Sequence, residues 1–239
     1  MLIPPHDHLG ETICALLPSG CENAAVLSEL MEKAHRVLDC HPINQKRRSE
    51  GKLPANGIWF WAEGTGVALE SFYDKYHKTG TVISAVPLCH GIAKLSGLDV
   101  TLVEGATGEL ETNLEGKVDA AVNALDRYDF AAIHVEAPDE CTHNGDLKGK
   151  LQAIEWLDSR VLAPLCARLN DKPFDYRLLF ISDHKTLTAT RGHDGDSVPY
   201  LLYDSRKNAQ SGLTYTEQSG LKGRTLPAGT ALMPKLFEL

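Results

Sequence analysis

The spacing of apolar positions along this chain changes once. In residues 23–41, "NAAVLSELMEKAHRVLDCH", Val26, Leu27, Leu30, Met31, Ala34 and Leu38 recur three or four apart. That spacing lays them along one face of an amphipathic helix. A basic connection containing proline and glycine follows at 44–57, "NQKRRSEGKLPANG". Beyond it, short apolar runs alternate with helical stretches. The predicted strands are "GIWFWAE" (57–63), "GTVISAVP" (80–87), "DVTLVE" (99–104), "YDFAAIHVE" (128–136), "DYRLLFISDH" (175–184) and "SVPYLLYD" (197–204). Residues 70–76, 90–97, 114–125 and 146–169 are predicted helices. The last of these carries Leu151, Ile154, Leu157, Val161, Leu162 and Leu165 on its inner side. Strands that are apolar throughout, without alternation, belong in a sheet covered on both faces. The order therefore predicts an α/β fold, a mostly parallel sheet with helices on both faces.

Such a sheet binds ligands at the carboxyl ends of its strands. Strand 128–136 runs into "APDECTH", and strand 175–184 ends in "SDH". Both polar clusters fall on the same sheet edge. Asp139 and His143 share a face if their segment is one helical turn. Asp183 and His184 are neighbours at a strand end, where side chains alternate, so they could serve two ions or bridge one site. His193 follows in "TATRGHDGDSVPY". This mixture of nitrogen and oxygen donors suits zinc, manganese or another divalent first-row metal. His134, inside the apolar run, reads instead as a hydrogen-bonded core histidine. Glu136 reads as a strand-end acid and Asp146 as a helix N-cap. His6, His8, His41, His77 and His90 show no such convergence.

Composition narrows the partners. At 239 residues the chain is one sizeable domain, or a domain with a smaller piece. A net charge of -8 argues against a general nucleic-acid binder, which needs clustered basic surface. A small anionic substrate needs only a few placed cations. Cys14, Cys21, Cys40, Cys89, Cys141 and Cys166 form no CxxC pair, so neither a zinc ribbon nor a disulfide framework is expected, and a reducing cytoplasm is. No run reads as a signal peptide or a membrane span.

Two long segments, "YDFAAIHVEAPDECTHNGDLKGKLQAIEWLD" and "ISDHKTLTATRGHDGDSVPYLLYDS", resemble the cofactor-independent phosphoglycerate mutases of the archaeal type. These belong to the alkaline phosphatase superfamily of two-metal enzymes. "PPHDHLG", "HPINQKRRSEGKLPANGIWFWAEG" and "VEGATGELETN" match the same family in the same order. The resemblance implies an alkaline-phosphatase-like metalloenzyme core. Asp139, His143 and His193 would hold one divalent ion, and Asp183 and His184 a second. Manganese, zinc, cobalt and magnesium are the candidates. The implied reaction interconverts 3-phosphoglycerate and 2-phosphoglycerate through a metal-activated serine or threonine hydroxyl.

The resemblance also implies that the sequence matches the family from its middle onward, without the N-terminal strand and the nucleophile segment. Residues 1–54 would be the remnant of a cap domain and its connection, and 55–239 the C-terminal part of the core. Ser182, Thr186 and Thr142 adjoin ligands, but none matches the family's nucleophile. Arg47, with Asn44 and Lys52 beside it, matches a family position and is a candidate substrate contact; Arg191, close to His193, is another. "DHKTL" has leucine where the family often has proline, and "WAEGTG" departs from the usual glycine-rich turn. Another phosphatase or phosphotransferase shares the metal ligands, whereas "HPINQKRRSEGKLPANGIWFW" is not general to the superfamily. A non-catalytic metal-binding remnant is the alternative from a different class.

Overall fold

The computed structural model describes residues 2–8, 10–207 and 211–238. The chain divides into two compact units, Met1–Val67 and Ala68–Leu239, a division later than the one suggested after residue 54.

In the first unit, α1 (Ala24–Asp39) is the predicted amphipathic helix. It stops before Pro42, because the residue preceding a proline is pushed out of the helical region. His41 accordingly sits at ψ 137, and Pro42 opens α2 (Pro42–Ser49). Asn44, buried in this unit, holds the turn together. Its amide donates to Leu38 O (2.7 Å) and Ala55 O (2.9 Å), and its Oδ1 accepts from Ala55 N (2.9 Å). The predicted strand at 57–63 does not form. An apolar run needs a neighbouring strand to satisfy its backbone. Here the chain stays irregular, with Trp59 Nε1 donating to Ile3 O (2.8 Å) and Ala62 at φ 55.

The second unit runs α3 (Phe72–Tyr76), β1 (Gly80–Ile83), α4 (Pro87–Leu95), β2 (Asp99–Thr101), α5 (Leu114–Ala124), β3 (Phe130–Ile133), α6 (Ala137–His143) and α7 (Leu147–Trp156). A π-helical segment, Leu157–Leu162, leads into α8 (Ala163–Asn170). Then come β4 (Arg177–Ile181), β5 (Lys185–Thr186), β6 (His193–Asp194), β7 (Tyr200–Asp204), α9 (Glu217–Gly220) and α10 (Leu232–Phe237). β1 is central, with β2 and β3 parallel on either side. Each parallel pair needs a crossover, and α4 and α5 lie in those connections. Gly80, paired with Phe130 of β3, has no room for a side chain. A Cβ there would lie 2.9 Å from the Phe130 ring and 3.0 Å from its carbonyl.

Two apolar clusters cover the sheet. One joins Leu114, Val118 and Val122 of α5 to Val161, Leu165 and Leu169, with Ile133 against it. The other joins Phe72, Ala93 and Leu98, with Val82, Val100, Phe130 and Phe237 against it. Phe130 and Ile133 are an odd number of residues apart on β3, so they face opposite sides. Helices therefore lie on both faces, as the apolar strands predicted.

The long helix predicted at 146–169 forms as one uninterrupted helical stretch, 147–170, but its middle, Leu157–Leu162, winds as a π-helix just before Pro164. A proline inside a helix lacks its N–H and crowds the carbonyl four residues back. Widening the preceding turn relieves that. The parallel sheet takes fewer strands than expected, since β4 pairs antiparallel with β7.

That pair is fastened by charge. Asp204 accepts from Arg206 (2.9 and 2.7 Å) and from Arg177 (2.9 and 2.8 Å). These guanidinium bonds, Arg206 first, hold its carboxyl well below the usual carboxylate range. Arg177 also donates to Lys235 O and Leu236 O, tying the end of α10 to β4. A carboxylate with a depressed folded pKa stabilises fully above the unfolded value, and loses that contribution as pH falls towards the folded one. Asp204→Asn is expected to lower the melting temperature at pH 7. Its deficit against wild type should shrink as melts are repeated below about pH 4, the range of a free aspartate. Leu165→Ala is expected to cost about 2–5 kcal/mol in urea denaturation, from lost burial plus the cavity left behind.

Candidate metal centre

Beyond β3 the chain turns directly into α6. His134 N donates to Ile83 O (2.9 Å), continuing the ladder one residue past the strand. Glu136 occupies the N-cap position of α6 without a side-chain capping bond, Pro138 sits in its first turn, and Gly145 ends it at φ 71. Asp146 N donates to Cys141 O and Gly145 N to Thr142 O, the paired bonds of a left-handed glycine stop. Asp146 then caps α7 by accepting from Gly149 N (2.8 Å). The helix so bounded is two turns long, and it puts Asp139 and His143 on one face.

A short hairpin comes to meet that face. β5 and β6 pair antiparallel, with Thr186 opposite His193. Their loop closes through Arg191 N to Leu187 O (2.7 Å) and Leu187 N to Gly192 O (2.9 Å). Three donors converge. His143 Nε2 lies 3.2 Å from Asp139 Oδ2 and 3.0 Å from His193 Nε2, and His193 Nε2 lies 3.4 Å from Asp139 Oδ1. Tetrahedral donors about 2.0–2.1 Å from a zinc-sized ion are about 3.3 Å apart, so the spacing fits a divalent metal.

The protonation pattern fits as well. His143 Nδ1 lies 2.7 Å from Arg191 O, and a carbonyl can only accept, so Nδ1 carries the proton. Nε2 then offers a lone pair towards a carboxylate and a second imidazole. A proton on His193 Nε2 or a cation among the three groups satisfies that lone pair. A histidine oriented through its other nitrogen by a backbone carbonyl is the usual support for a metal ligand.

Asp183 and His184 adjoin this group. The His184 ring lies 3.9 Å from the His193 ring, centroid to centroid. His184 Nε2 is 3.4 Å from Asp183 Oδ2. Asp183 is exposed, as His193 is, so the second pair forms an open edge beside the three-donor group. Of the two candidate substrate arginines, Arg47 lies in the first unit, its Nε donating to Leu53 O (2.8 Å). Arg191 stands at the centre by its backbone, in a left-handed conformation (φ 57). A Cβ added at Gly145 would run into its guanidinium.

Sequence reading passed over two neighbours, Glu140 and Lys117. Glu136, Asp139 and Glu140 bring carboxylate oxygens within 4.8 Å of one another. Burial pushes the Glu140 carboxyl up, helped by the charges of Glu109, Asp139 and Glu136 and opposed by His143. The i, i+4 spacing of Glu136 and Glu140 was the available signal. Lys117 is 1% exposed, and its Nζ donates to His134 O (2.9 Å). Burial pulls its pKa down, against the pull of Glu136 and Cys89. Its place among Leu114, Val118 and Ala121 on the apolar face of α5 was visible beforehand. Thr186 donates its hydroxyl to Asp139 Oδ1. His134 is hydrogen-bonded as expected, between Ser84 Oγ (3.0 Å) and Glu136 Oε2 (3.1 Å), but it is half-buried at the strand end rather than in the core.

A model of the metalloenzyme superfamily matches residues 16–226. The chain belongs to the metalloenzyme superfamily. A Geobacter sulfurreducens relative is 43% identical over 99% of this metalloenzyme chain, which spans 59% of that protein's length. The 2,3-bisphosphoglycerate-independent phosphoglycerate mutase of Methanosarcina barkeri is 44% identical over 92% of the chain, which covers 55% of that protein. Among solved structures, the cofactor-independent phosphoglycerate mutase of Thermoplasma acidophilum matches at a TM-score of 0.56 and 25% identity, over 92% of this chain and 53% of its own. A Pyrococcus horikoshii protein matches at a TM-score of 0.71 and 29% identity, over 94% of this chain and 59% of its own. Among the described residues of this superfamily member, no helix is long and apolar enough to cross a membrane.

A side chain in the left-handed region costs about 1–2 kcal/mol. Gly145→Ala is therefore expected to destabilise the protein by at least that amount in thermal or urea melts, with the clash against the Arg191 guanidinium added to it. Arg191→Ala in the same chain should recover only the steric share.

Proposed function

We propose that this chain carries the metal-holding part of a phosphoglycerate mutase. The reading rests on the abutment of two donor sets, Asp139, His143 and His193 beside Asp183 and His184. The names of its relatives support the substrate class. Two divalent ions per chain, of the manganese, zinc, cobalt or magnesium class, would lower the pKa of an attacking hydroxyl and neutralise a phosphoryl group in transfer. The setting is the cytoplasm, in keeping with six cysteines present as free thiols.

The chain's own residues have separable tasks. His143 and His193 present nitrogen lone pairs, and Asp139 supplies the negative charge among them. The hydrogen bond from His143 to Arg191 O keeps that imidazole in the ligand tautomer before any ion arrives. Arg191, in the unit that holds the donors, is the proposed contact for an anionic group of the substrate, for which a planar guanidinium fork is suited. The hydroxyls near the centre have other work. Thr142 donates to Pro138 O (2.6 Å), and Thr186 to Asp139. Neither is assigned as the nucleophile.

The test measures metal before turnover. Chelated protein dialysed against Mn²⁺ is expected to retain two equivalents by elemental analysis, and Asp139→Asn fewer. Retention of none by the unsubstituted chain overturns the proposal. In an enolase-coupled assay with 3-phosphoglycerate, the metal-loaded 239-residue chain is expected to be inactive. Turnover would place the nucleophile within this sequence and overturn that part of the reading.

A further inference from the structure

Thr186 touches both donor sets. It lies half-buried on β5, directly opposite His193 in the hairpin register. Its hydroxyl donates to Asp139 Oδ1, since a carboxylate can only accept. With that proton committed, Oγ1 is free only as an acceptor towards His184 Nδ1 at 3.3 Å. His184 Nδ1 also faces Lys185 O at 3.3 Å, another group that only accepts. The proton of His184 is therefore on Nδ1. A directed chain of hydrogen bonds results, from His184 through Thr186 to Asp139. It leaves His184 Nε2 with its lone pair towards Asp183, and it fixes one oxygen of Asp139. The backbone of Thr186 is pinned separately, its carbonyl accepting from Lys150 Nζ on α7 (2.7 Å).

We propose that Thr186 is a positioning residue that orients ligands of both metals through this one hydroxyl. Valine matches threonine in shape and supplies the same β-branched strand residue, so shape alone does not require the hydroxyl. What valine lacks is the bond to Asp139 and the acceptor for His184. Hydrogen bonds of this kind that orient metal ligands change metal affinity by about tenfold to a hundredfold when removed.

The inference rests on the two-metal reading, and the test keeps their failures apart. Apo protein is titrated with Co²⁺, following the visible ligand-field band and measuring affinity by competition with a chelator. Failure of the unsubstituted chain to bind Co²⁺ overturns the metal reading and the inference with it. With wild-type binding in hand, Thr186→Val is expected to weaken Co²⁺ by about tenfold or more and to change the band. Thr186→Ser, which keeps the hydroxyl, is expected to bind and absorb as wild type does. A Thr186→Val protein with wild-type affinity and band overturns the inference alone. If circular dichroism shows that Thr186→Val has not folded, Thr186→Ala takes its place. Wild-type Co²⁺ binding by that variant overturns the inference, and weakened binding with an altered band supports it.

Discussion

Lys117 gives its ammonium to the carbonyl of His134, deep under α5. A buried cation is costly unless it is bonded and has negative charge nearby. The carbonyl supplies the bond, and Glu136 supplies charge that works against the desolvation. This contact pins the chain where the regular ladder of β3 ends and α6 is about to begin. The site depends on that point. Moving the start of α6 by one residue would rotate Asp139 and His143 by about 100° around the helix. The hairpin that brings His193 and His184 would then meet a different face.

The two apolar clusters serve the same end by different means. They hold the parallel strands from both sides, which fixes the direction in which β3 leaves the sheet. The centre itself lies beyond the strand ends, among groups that are half-buried or exposed. Its geometry is set by directional bonds: the glycine stop at Gly145, the Arg191 carbonyl on His143, and the Lys150 ammonium on Thr186. Arg191 adopts a left-handed backbone without being glycine. Strained residues of this kind gather where a fold must aim one particular group, and here the group is its own carbonyl.

Much of this was legible in the chain. The apolar runs gave the core strands because a strand buried on both faces has few alternative compositions. Asp139 and His143 could be paired because helical spacing alone brings them together. The strand expected at 57–63 failed because an apolar run does not announce whether it has a partner to pair with. The long helix of 146–169 was legible from its apolar spacing despite Pro164, because a widened turn lets the helix and the proline persist together. The convergence of His193 with Asp139 and His143 depends on where a hairpin folds back, which spacing does not encode; family resemblance supplied it. Lys117 was passed over because charge suggests solvent, although its position on the apolar face of α5 said otherwise.

The β5–β6 hairpin has two residues in each strand, too few for an independently stable ribbon. It is held in place by Thr186 and His193 against Asp139 on α6, and by Lys150 of α7 donating to the Thr186 carbonyl. If an ion joins His193 to Asp139 and His143, that ion is also a cross-link between the hairpin and the helix. Folding of the loop and binding of the metal then share one free energy, and each raises the population of the other. The edge that carries the donors would be assembled by its ion, while the sheet behind it stands without help.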